Sequence, residues 1–259
     1  RIRGELADFP GLKIVSGLNA YHKFLPGEPV TSAVREFTPR GGGQKMLYET
    51  YNLAAQLTIG DAEVETYKKS KLVPGAEIFP FKSLFPFMEP LVKQLGGTTA
   101  GLGTQEKRSP LVSNTARIAP VICYESVFGG YFTGYVRPQS RTEAGSQAAF
   151  IMTNDGWWDN TPGHRQHLYY ASLRAIETRR SIARSANTGV SAFVDQLGRI
   201  SQATQYDEAT SITGRINLNE KLTFYVKWGD IIARISLFLA ILLIMNTISK
   251  TWLKRVGKE

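Results

Sequence analysis

The chain has 259 residues, 42% hydrophobic and 20% charged, with a formal net charge of +9. That length suits one sizeable α/β domain plus an appendage, and a single cysteine excludes an intrachain disulfide framework or a multi-cysteine zinc site. The basic residues form no Lys/Arg tract with interleaved aromatics, so nucleic acid is not an expected partner, and an anionic membrane surface accounts for the charge equally well.

The chain opens at Arg1 without a charged-then-apolar leader, and is expected to be a fragment of something longer. Residues 2–9 read as the end of an amphipathic helix closed by Pro10-Gly11. Lys13–Leu18 reads as a buried strand, and residues 47–59 carry strand-like runs ending in a Gly60-Asp61 turn. Between them Gly41-Gly42-Gly43 lacks the Lys-Ser/Thr and helix start of a phosphate cradle, and is expected to be a hairpin tip. A strand over residues 64–67 leads into Tyr67-Lys68-Lys69-Ser70-Lys71-Leu72-Val73-Pro74-Gly75-Ala76-Glu77. Pro74 and Pro80 make this an irregular loop of the kind that positions side chains over a sheet, although a lysine-rich loop is ordinarily a solvated face. Charge alone does not choose among its three lysines. Residues 79–95 are aromatic but broken by prolines, which fits either core or an apolar wall facing lipid.

Residues 115–123 return to a buried strand that ends on Cys123, the only cysteine, beside Tyr124 and Glu125. A thiol at a strand end, next to a carboxylate, is where a covalent nucleophile belongs, the alternative being a small core residue. A short helix over residues 126–132 would place the Tyr124 N–H near a helix N-terminus, able to receive an oxyanion. A strand over residues 147–153 opens into Asn154-Asp155-Gly156-Trp157-Trp158. Adjacent tryptophans at a strand end form either a core lid or a lipid-binding mouth, and the loop position favours the mouth. Residues 164–180 read as a helix. Its His164 and His167, one turn apart without a third ligand, read as packing or substrate-shaping residues rather than a metal site. Strands are expected over 182–186, 190–194 and 211–217. In the tail, the only ionisable group within residues 231–248 is Arg234. Aromatic residues flank the span, and Lys250, Lys254, Arg255 and Lys258 follow it, which reads as a transmembrane helix with a cytoplasmic C-terminus.

Three blocks together, Tyr67-x-Lys69-x-x-Leu72-Val73-Pro74 with Glu77, then Cys123-Tyr124-Glu125, then Asn154-Asp155-Gly156-Trp157-Trp158, resemble the nitrilase (carbon-nitrogen hydrolase) superfamily. Within it they resemble the bacterial apolipoprotein N-acyltransferases. The resemblance implies an αββα sandwich over residues 1–225, followed by a transmembrane helix and basic tail over 226–259. It implies Cys123 as nucleophile, Lys69 as the triad lysine, and Glu77 and Glu125 as accessory carboxylates. Substrate contacts fall to Tyr124, Trp157 and Trp158. Independently of the resemblance, an ammonium near the thiol favours thiolate and steadies a tetrahedral oxyanion.

The family's general base lies in a Trp-Pro-Glu-Thr-like motif that does not occur here. Glu5 does not substitute for it; the motif is expected upstream of Arg1, which would leave this fragment nearly inactive. For the whole protein the resemblance implies acyl transfer without a cofactor or metal. The donor is a phospholipid, and the acceptor is the amine of a diacylglyceryl-cysteine lipoprotein. The catalytic domain would lie on the periplasmic side of the bacterial inner membrane. The alternatives are a nitrilase-type amidase that hydrolyses a small amide, and a membrane-anchored binding module without catalysis.

Overall fold

The computed structural model describes residues 2–39, 41–78, 87, 101–140 and 143–256. A short α1 (Ile2–Glu5) precedes β1 (Lys13–Lys23), β2 (Arg35–Phe37), β3 (Met46–Thr58) and β4 (Val64–Lys68). In β3 the buried positions largely alternate, through Glu49, Tyr51 and Leu53, the period-two signature of a strand with one face against a core. β1 pairs along one side of β3, and β2 and β4 pair in turn along its other side, all antiparallel. The β2–β3 pairing makes residues 38–45 a hairpin connection, as the glycine triplet predicts.

The second sheet is built from β5 (Leu111–Val112), β6 (Arg117–Ile122), β7 (Ala148–Thr153), β8 (Ile182–Ala186), β9 (Ala192–Val194) and β10 (Ile200–Ser201), in the order β10-β9-β8-β7-β6-β5. Its centre, β6-β7-β8, is parallel, and the flanking pairs are antiparallel. Parallel neighbours need crossover connections, supplied by α2 (Gly129–Val136) and α3 (Pro162–Thr178). Thr161 caps α3 by accepting from the Gly163 N–H, and Arg179 ends it in the left-handed conformation. The two sheets face each other through β3 against β6 and β1 against β7. The main core gathers Ala54 and Tyr67 from the first sheet, Val121 and Ile151 from the second, and Phe132 and Tyr135 from α2. Burying a valine, isoleucine or phenylalanine side chain such as Val121, Ile151 or Phe132 contributes roughly 1.5–3 kcal/mol. This is the layered nitrilase-type α/β architecture, with the ends of β6, β7 and β8 aimed at one rim.

Three expectations are corrected. The strand expected to be buried over Lys13–Leu18 extends to Lys23, and Leu18 and Tyr21 are exposed, because β1 is the edge of its sheet. Instead of a helix over residues 126–132, a 3-10 turn over Cys123–Val127 comes first, and the α-helix starts at Gly129. Residues 211–217 form no strand. They run beside the sheet with Gly214 against the Phe193 ring and Asn219 bonded to Gln147 and Arg179, so strand-like sequence finds no ladder. The aromatic segment 79–95 lies outside the described residues, apart from Phe87.

A short α4 (Phe224–Trp228) leads to α5 (Ile231–Val256). Within α5, Ile231–Lys250 has a mean hydropathy of 2.3 and buries nothing against the rest of the chain. By length and composition it is sufficient to cross a bilayer: 20 residues at 1.5 Å each span about 30 Å. With no side of it buried, it is not a core helix of this domain.

Candidate active site

Strand β6 delivers Cys123 to the rim, and the chain turns there at once. Cys123 has a φ of 47°, in the left-handed region that non-glycine residues enter only at a cost. The turn is fastened from behind by Glu125, which is completely buried. One of its oxygens accepts from the Ile122 N–H at 2.9 Å and the Tyr135 hydroxyl at 3.0 Å. The other accepts from Tyr67 (2.8 Å), the Ser70 N–H (2.7 Å), Tyr131 (3.1 Å) and the Lys71 N–H (3.4 Å). A single carboxylate therefore ties the loop after β4 to the turn after β6. Burial, followed by the charge of Glu125, pushes the Tyr67, Tyr131 and Tyr135 hydroxyls above the usual phenol range, so they stay protonated as donors.

Lys69 follows β4, and its backbone N–H donates to the Asn52 carbonyl at 2.8 Å, which extends the β3–β4 ladder by one bond. Its side chain is buried, and Nζ donates to both oxygens of Glu77 at 2.7 Å. Glu77 is held in turn by Asn52 Nδ2 (2.6 Å) and the Val73 N–H (2.8 Å). Of the competing lysines, Lys68 lies over the Tyr51 ring and Lys71 over the Tyr131 ring. Only Lys69 of the three lines the cavity.

That cavity, about 540 Å³, opens between the sheets and is lined by Lys69, Glu77, Asn52, Cys123, Asn154 and Trp157, among others. The structure thus brings Cys123, Lys69 and Glu77 around one space, with Cys123 partly exposed and Trp157 largely exposed at the rim. Glu125, Tyr124 and Trp158 do not line it. Tyr124 packs edge-on against Phe128, and Trp158 lies over Gly163 at the start of α3. Glu77 is the one carboxylate among the described lining residues, and its oxygens are engaged by Lys69, Asn52 and Val73. The base glutamate implied by the resemblance therefore has no counterpart among them. Among the described residues no cluster suited to a metal ion occurs.

Sequence reasoning missed a buried group behind Cys123. Asp155 accepts from Thr153 Oγ1 (2.8 Å) and from Arg184 Nη2 (2.6 Å), and faces His167 Nδ1 at 2.8 Å. Burial opposes its ionisation, but the His167 bond and the Arg184 charge prevail and hold its carboxyl below the usual range. Burial also lowers the Arg184 guanidinium, with Asp155 opposing that shift. Gly189 is required here, since a Cβ would run into the Asp155 carboxylate. The other histidine of the pair, His164, packs on the Tyr206 ring. Asn52 was likewise unreadable, because only the β3–β4 pairing sets it beside Glu77.

A family profile described as carbon-nitrogen hydrolase matches residues 31–221. The chain is similar to the apolipoprotein N-acyltransferase of Chlorobaculum tepidum, 33% identical over 197 residues that cover 74% of this chain and 36% of that protein. It is also similar to that of Brucella melitensis biotype 1, 35% identical over 182 residues, or 69% of this chain and 31% of the other. It spans about a third of the length of these curated relatives. Among solved structures, an amidase from Nesterenkonia sp. is 17% identical with a TM-score of 0.48, over 80% of this chain and 61% of that one.

Proposed function

The chain belongs to the carbon-nitrogen hydrolase family, and from that premise we propose that it carries the acyl-transfer centre of an apolipoprotein N-acyltransferase. The observation that carries this reading is the grouping of Cys123, Lys69 and Glu77 around one open cavity. In the proposed reaction the Cys123 thiolate attacks an ester carbonyl of a phospholipid. The S–C bond forms, the ester C–O bond breaks, and lysophospholipid leaves with a proton. The amine of a diacylglyceryl-cysteine lipoprotein then attacks the thioester, giving an amide, with the thiolate as leaving group and the amine's proton passing to a base.

Lys69 steadies the thiolate and the tetrahedral oxyanion, and Glu77 keeps its ammonium aimed at the cavity. Glu125 acts through the backbone, fixing the two loops relative to each other. The Trp157 rim, with Trp158 and Tyr124 beside it, is proposed to admit the acyl chain. Residues 1–225 form the catalytic domain in this reading. Residues 226–259 anchor it, with α5 crossing the inner membrane, the basic tail cytoplasmic and the domain periplasmic, in keeping with the apolar span and the lysines and arginine after it.

The test supplies the whole protein, in detergent with phospholipid, with a lipopeptide bearing a free diacylglyceryl-cysteine amine. The peptide is expected to gain one acyl mass for each lysophospholipid released. Free fatty acid formed at the same rate with or without the peptide would make water the acceptor and contradict the transferase reading.

A further inference from the structure

We propose that His167 is a positioning residue for the nucleophile, holding the Cys123 carbonyl, together with Ser126, so that the left-handed turn presents the thiol to the cavity. The inference rests on the reading of Cys123 as nucleophile and assigns a role to a group that reading does not use. The Ser126 hydroxyl donates to the Cys123 carbonyl at 2.8 Å, and its oxygen lies 3.1 Å from His167 Nε2. The same Nε2 lies 3.3 Å from that carbonyl. At the opposite end of the ring, Nδ1 faces Asp155 at 2.8 Å, with Arg184 Nη2 at 3.1 Å. An ionised Asp155 and the Cys123 carbonyl both only accept hydrogen bonds, so this role requires a proton on each ring nitrogen, Nδ1–H toward Asp155 and Nε2–H toward the carbonyl. Ser126, Asp155, His167 and Arg184 are all buried, so water does not replace any of these bonds.

The conformation at stake is the strained one. Cys123 sits at a φ of 47°, and released from its carbonyl contacts it has neighbouring basins of lower energy in which Sγ points elsewhere. The chain of contacts runs from β8 through the end of β7 and α3 to the turn, so three elements converge on one peptide group. The Ser-His-Asp sequence of contacts is not itself a hydrolytic triad. Ser126 is buried, and its proton is directed at the Cys123 carbonyl rather than toward a substrate.

The experiment measures iodoacetamide alkylation of the single cysteine by intact mass, which needs neither lipid nor acceptor, alongside thermal unfolding. H167N keeps an amide N–H facing Asp155 but stops short of Ser126 and Cys123; H167Q reaches them but gives up the Asp155 contact. Alkylation is expected to slow about tenfold in H167N, as for the loss of one hydrogen bond, and to stay within about twofold of the parent in H167Q. S126A, which removes one hydroxyl from the turn, is expected to slow it severalfold. H167N and H167Q reacting alike, or rates that simply follow the melting temperatures, would overturn the inference and leave the nucleophile reading intact. A parent thiol no more reactive than in the urea-unfolded chain would overturn both.

Discussion

Replacing Glu125 with glutamine separates a clamp from a group that acts in the cavity. The carboxylate accepts from three backbone N–H groups, those of Ser70, Lys71 and Ile122, and from three tyrosine hydroxyls. An amide must turn its NH₂ toward one set of these donors. The milder choice is the side of Ile122 and Tyr135, where the Tyr135 hydroxyl can rotate to accept and only the Ile122 N–H is opposed. The variant then loses one charge-assisted bond, about 1.5–3 kcal/mol, and leaves a buried N–H without an acceptor, about 1–3 kcal/mol more, so about 4 kcal/mol in all. For a domain of this size that lowers the melting temperature by roughly 8–16 °C. Thermal unfolding in detergent, followed by tryptophan fluorescence, measures the shift, and intact-mass alkylation follows the thiol. The clamp requires both to fall together. An E125Q variant that melts within about 2 °C of the parent yet loses its thiol reactivity would refute the clamp and place Glu125 in the chemistry.

Removing the carboxylate that neutralises Lys69 leaves a buried ammonium unpaired, so E77A is expected to lose about 3–5 kcal/mol and E77Q, which keeps an acceptor, distinctly less; equal denaturation midpoints would contradict the pairing. Asp155 has a folded-state pKa below its unfolded one, so its stabilisation is complete above the unfolded value of about 3.9 and fades as pH falls through the lower folded value. The parent's melting temperature should therefore drop below about pH 4, and D155N should show a shallower acid limb from a lower plateau; parallel limbs would sink this.

What the sequence disclosed, and what it withheld, follows from how local each signal is. The run Arg117–Ile122 announces a buried strand through its own side chains, and Cys123 at its end needs no tertiary information to stand out. Lysine charge did not distinguish Lys68, Lys69 and Lys71; the motif spacing did, and the structure sends the outer two to aromatic rings. The apolar tail is readable from composition, and it forms one continuous helix. Pairing is not local. Residues 211–217 have strand composition yet lie beside a sheet without joining it, and β1 has buried-strand composition yet forms an edge. The Asp155–His167–Arg184 group spans three elements, and its histidine looked like helix packing because its partners meet only after β6, β7 and β8 align in parallel.

The most direct test of an acyl group resting on this cysteine is mass spectrometry of the whole protein after incubation with phospholipid in detergent. The account predicts one acyl mass on the peptide containing Cys123, released by neutral hydroxylamine as a thioester should be, absent from C123A and strongly reduced in K69M. An acyl mass of the same yield on C123A, or one that resists hydroxylamine, would contradict it.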